Sequence, residues 1–114
     1  MIKGKIIKNK EGHIYHVSVK GHADFSDHGK DIVCSAISVY LTNTINTLTE
    51  IVKVDDYLEY EVETGNFLLN VNYSNLTEKE TNETALILES LKLALTLVED
   101  SYGKYIKIVT EEVQ

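Results

Sequence analysis

Cys34 follows Asp31 by three residues and His22 by twelve, and it is the only cysteine in the chain. A thiol and an imidazole within reach of one another make a nucleophile and general base for covalent attack on a carbonyl. The residues after Asp31 have the periodicity of a helix, which places Cys34 in its first turn. Unpaired backbone N–H groups and the positive end of the helix dipole favour an anion there, and a thiolate is one. The opposing reading is a small, inert hydrophobe, because free cysteine is among the most buried residue types. Asp31 also has two readings. It could cap the helix by accepting from the N–H of residue 34, or it could orient His22 as the third member of a triad. The two roles compete for the same oxygens, and a carboxylate turned toward the sulfur would oppose the thiolate.

One cysteine cannot form an internal disulfide, build a thiolate metal cage or supply a resolving partner for redox chemistry. His13, His16, His22 and His28, with Asp24 and Asp27, have the residue types of a metal centre, but His13 and His16 point to opposite faces of a strand. No pair has the i, i+4 or short cysteine–histidine spacing of a zinc site, so no metal or cofactor is expected. Tyr57, Tyr60, Tyr73 and Tyr102 are read as packing rather than as a peptide groove. Glu59, Glu61 and Glu63 are read as a solvent-facing strand surface that could attract a cationic partner.

The elements that must position these groups follow from periodicity. Residues 2–8 and 13–20 read as strands joined by a tight turn over 9–12, with Tyr15, Val17 and Val19 on one face. Residues 21–30 read as a loop with a glycine near each end. From Asp31 to about Val52, Val33, Ile37, Tyr40, Leu41, Leu48, Ile51 and Val52 recur at helical steps. A second hairpin is predicted over 57–63 and 67–74, a second helix from about Glu78 to Tyr102 stopped at Gly103, and a last strand over 104–110. The ββαββαβ order predicts a two-layer α+β domain, a five-stranded sheet packed on two helices, over the single domain 1–114. The second helix has two apolar stripes. Ile87, Leu88, Leu91, Ala94, Leu95, Val98 and Tyr102 form one, and Leu86, Leu93 and Leu97 form another on roughly the opposite side. One sheet cannot cover both, so either a neighbouring element covers the second or the chain pairs as a homodimer, which is the expectation adopted.

The 114 residues, 43% of them hydrophobic, suffice for one core and not two. Eighteen acidic against eleven basic residues give a net charge of −7, which argues against a direct nucleic-acid partner. No apolar run is long enough to span a bilayer, and a soluble protein of the cytoplasm is expected.

The run Gly21-His22-Ala23-Asp24, a short loop, then Gly29-Lys30-Asp31-Ile32-Val33-Cys34, followed by Ala36 and Ser38, resembles the signature of the bacterial ribosomal-processing cysteine proteases, the Prp family. Chain length and element order are similar over the whole sequence. The resemblance implies an endopeptidase that removes the N-terminal extension of large-subunit ribosomal protein twenty-seven, supporting ribosome assembly. It implies Cys34 as nucleophile and His22 as general base, with Asp31 as a motif residue between capping and orientation. Gly21 and Gly29 would be hinges of a loop that opens for substrate and closes over it. Backbone N–H groups at the helix start would hold the oxyanion; the sequence does not say which, and those of Val33 and Cys34 are the first to examine. Ser35 stands where the family more often has a small apolar residue, and Lys30 follows the loop glycine. A basic ribosomal substrate would be attracted by an enzyme of net charge −7. The rival reading is a noncatalytic ribosome-assembly module with Cys34 buried and unreactive.

Overall fold

The computed structural model describes residues 1–21 and 28–113, and the side chains of all of these but 28–30. Its elements are β1 (Ile2–Lys8), β2 (Ile14–Lys20), α1 (His28–Asn46), β3 (Leu58–Glu63), β4 (Asn66–Val71), α2 (Glu78–Tyr102) and β5 (Ile106–Glu112). The strands form one mixed sheet in the order β3-β4-β2-β1-β5, with β5 parallel to β1 and the other pairs antiparallel. The predicted two-layer α+β architecture is therefore the observed one.

The register places Ile2, Ile6, Val17, Val19, Phe67, Leu69 and Ile106 on one face of the sheet, and all are buried. Val33, Ile37, Leu41 and Ile45 of α1 and Leu88, Leu91, Leu95 and Val98 of α2 close the core over that face. Lys3, Lys5, Ser18 and Asn70 alternate onto the open face, the pattern of a sheet covered on one side.

Three details differ from expectation. A bulge where Ile7 and Lys8 meet β2 carries the register past Tyr15, so Ile14 takes the buried place and Tyr15 is only half-buried. The first helix starts at His28, three residues early, so Gly29 and Lys30 belong to its first turn and not to the preceding loop. One glycine in a helix costs about 1 kcal/mol, whereas each residue added ahead of Val33 gains a hydrogen bond in an already nucleated helix. At its other end α1 passes into a wider π-type turn over Thr47–Val52, closed by Lys53 with φ +64°. The extra residue per turn rotates the apolar stripe, leaving Leu48 buried but Ile51 exposed.

The second helix has the predicted bounds. Thr77 accepts from the Glu80 N–H at 3.1 Å, and the Glu80 carboxylate accepts from the Thr77 N–H at 2.9 Å, a reciprocal cap. Gly103 follows the last turn as expected, although with right-handed geometry, φ −58°. Among the described residues no helix is long and apolar enough to cross a membrane.

Candidate active site

Cys34 lies in the second turn of α1, half-buried between the core residues Val33 and Ile37. It opens onto a cavity of about 460 Å³. Ile37, Ser38, Leu41 and Thr42 continue the α1 wall, Ile2, Val19 and Phe67 form an apolar floor, and the end of the β3–β4 hairpin, 62–66, forms the opposite wall. Gly21, the residue before His22 in the chain, lines the same cavity. Ser38 and Thr42 stand one and two helical turns beyond Cys34, which puts their hydroxyls on the same face as the thiol.

Gly21 is locked in place. Its N–H donates to the Gly65 carbonyl at 3.0 Å, tying the end of β2 to the hairpin turn. Its φ is +119°, and a Cβ there would sit 2.8 Å from the Met1 carbonyl oxygen and 3.0 Å from the Ile2 Cα. Only glycine fits that conformation and that approach.

The sequence expectations divide accordingly. Cys34 does line a cavity, with one flank turned to the core. His22 lies outside the described residues, as does most of the loop expected to move between Gly21 and Gly29. Of the two expected hinges, Gly21 is wedged between β1 and the β3–β4 turn, and Gly29 sits in the first turn of α1. Asp31 is exposed within that first turn, too far into the helix to serve as its N-cap, and it shares a face with Cys34 at i, i+3. The early helix start also corrects the oxyanion expectation. Inside an α-helix the N–H groups of Val33 and Cys34 bond to the carbonyls four residues earlier, so neither is free to meet an oxyanion.

Tyr57, Tyr73 and Tyr102 pack against the core as predicted. The Tyr73 hydroxyl donates to the Ile14 carbonyl at 2.6 Å, and burial first, then the Glu89 carboxylate, raises the phenol above its ordinary range. Tyr60 is the exception, 45% exposed at the sheet edge. Sequence reasoning did not find the hairpin wall. It is brought to the thiol by the pairing of β2 with β4, some fifty residues apart in the chain, and no local pattern signals it.

A family model described as cysteine protease Prp matches residues 1–107. The chain is 29% identical over 109 residues to the ribosomal processing cysteine protease Prp of Staphylococcus aureus, a match covering 95% of this chain and 97% of that one. The fold is similar to that of an essential ribosomal processing protease Prp from S. aureus in complex with a substrate peptide, with a TM-score of 0.76, 24% identity and coverage of 96% of this chain and 99% of the other. A second structure, of the S. aureus protease with a covalently linked product peptide, gives a TM-score of 0.74 and 25% identity over the same shares of the two chains.

Proposed function

The chain belongs to the cysteine protease Prp family, and on that premise we propose that it removes the N-terminal extension of large-subunit ribosomal protein twenty-seven, with Cys34 as nucleophile and His22 as general base. The observation that carries the assignment of Cys34 is its position on the wall of an apolar-floored cavity that Gly21, the residue before His22, also lines.

In this reading the Cys34 thiol gives its proton to His22, and the thiolate attacks the scissile carbonyl carbon. The tetrahedral intermediate collapses as the imidazolium donates a proton to the leaving amine, which breaks the C–N bond and leaves a thioester on Cys34. Water, deprotonated by the neutral imidazole, then attacks the thioester and releases the acid product and the thiol. The covalently linked product peptide of the S. aureus protease supports a covalent path. Because the Val33 and Cys34 amides are engaged in α1, oxyanion donors belong to other groups at the cavity, and the Ser38 hydroxyl, one turn from Cys34 on the same wall, is the nearer of the two α1 hydroxyls that line it. A newly made ribosomal protein as substrate supports a cytoplasmic setting for this reading, and the uncovered leucine stripe of α2 supports a homodimer.

The test is cleavage of a peptide spanning the extension junction, read by mass spectrometry, with wild type compared against Cys34→Ala and His22→Ala. A single cut, lost by at least a thousandfold in both folded variants, is expected. Absence of a wild-type cut with rapid iodoacetamide labelling of Cys34 would leave a reactive thiol acting on another carbonyl. Neither cut nor labelling would favour a binding module.

A further inference from the structure

The cavity beside Cys34 does not end at the hairpin. A second cavity of about 470 Å³ adjoins it along α1, and the two share Thr42 and Val62 in their walls. Together they form a groove between α1 and the edge strand β3 that runs from Cys34 to Glu50 and Asp55. Its β3 side is unusual for this sheet. Tyr60 and Val62 pair in register with Leu69 and Phe67 and so belong to the core face, yet they are 45% and 51% exposed, whereas Leu69 and Phe67 are buried. The helix layer leaves this edge of the core face open. The far end of the groove carries the carboxylates of Glu50 and Asp55, Glu63 stands on the hairpin wall at the Cys34 end, and no lysine is among the described residues lining either cavity.

Resting on the protease reading above, we propose that this groove seats the substrate polypeptide in extended form on one side of the scissile bond, and that Glu50 and Asp55 receive a lysine or arginine of the substrate at its far end. Charge complementarity selects the occupant. The groove offers Tyr60 and Val62 on its β3 side, threonine and asparagine along α1, and carboxylates with no described cation. Of these, Glu63 stands near the cut and Glu50 and Asp55 remote from it, so a basic residue far from the cut meets the latter pair. Length sets the register. From Cys34 to the end of α1 the helix rises about 18 Å at 1.5 Å per residue, and Glu50 lies a turn beyond, so the groove is roughly 20 Å long. An extended chain advancing about 3.3 Å per residue crosses that in about six residues. The basic side chain therefore stands about five to seven residues from the cut.

The experiment uses a set of peptides that extend at least eight residues either side of the junction, with a single lysine moved one position at a time through otherwise neutral flanks. For wild type, kcat/KM should peak five- to tenfold when the lysine is five to seven residues from the cut on one side, through KM rather than kcat. The Glu50→Gln/Asp55→Asn double variant should flatten the peak while cutting the lysine-free peptide as wild type does. Replacing the preferred lysine by glutamate should be rescued by Glu50→Lys. A flat wild-type profile, or a peak that survives in the double variant, overturns the proposal. If wild type cuts none of the peptides, the substrate reading fails separately, and fluorescence anisotropy of the same labelled peptides on the Cys34→Ala protein decides the groove by the same positional dependence.

Discussion

At the scale of single residues, Cys34 has less help from its helix than the sequence suggests. The dipole's influence falls off within the first turn, and α1 begins six residues before the thiol. On the proposed mechanism activation therefore falls to the partner base, which would make His22 decisive and give Gly21, the residue before it, its importance. Gly21 combines a positive φ, a backbone contact with Met1 and Ile2 and a hydrogen bond to Gly65, so three parts of the chain fix the point from which the next residue departs. Gly21→Ala should cost about 1–3 kcal/mol, since the atoms in its way are backbone and cannot rotate aside. Peptide cleavage should fall as well, by more than the lost folded fraction explains. Urea titration and cleavage at a temperature where both proteins are folded would check this, and a variant with wild-type stability would show that β1 yields easily.

Among the elements, those whose boundaries are set by local chemistry were legible in the sequence, and those set by tertiary contacts were not. The bounds of α2 follow from Thr77 and Glu80 at one end and Gly103 at the other. Thr77→Ala removes the cap oxygen from an exposed helix start and should destabilise the domain by about 1 kcal/mol, seen as a lower urea midpoint with an unchanged slope. The start of α1 was hidden because Gly29 reads as a breaker, whereas a helix anchored by Val33 and Ile37 on the sheet tolerates it. The exposure of Ile51 was hidden because the π-type turn changes the period on which a helical wheel depends. At the site, Ser38 and Thr42 could have been read from their i+4 and i+8 spacing to Cys34. The hairpin wall at 62–66 could not, since only the β2–β4 pairing brings it there.

On the scale of the whole molecule, the leucine stripe of α2 separates the two explanations offered for it. Leu86, Leu93 and Leu97 are 71%, 61% and 56% exposed, so within the described residues no neighbouring element folds over them. Three leucines spaced by seven and four residues lie along one side of the helix, opposite Leu88, Leu91 and Leu95, and a second copy presenting the same stripe would be self-complementary. Burying a leucine contributes about 1.5–3 kcal/mol, so six of them across a two-fold interface contribute on the order of 10 kcal/mol. That is the same order as the translational and rotational cost of association, so a dimer built mainly on this stripe should dissociate on dilution. Sedimentation equilibrium should accordingly find a concentration-dependent dimer for wild type and a monomer for Leu93→Glu at every concentration. The substitution lies on a solvent-facing side of α2, away from the Cys34 cavity, so the monomer should stay folded and retain peptide cleavage. A variant that sediments as wild type would remove the stripe as an interface, and one that loses cleavage while folded would tie the pairing of protomers to the chemistry.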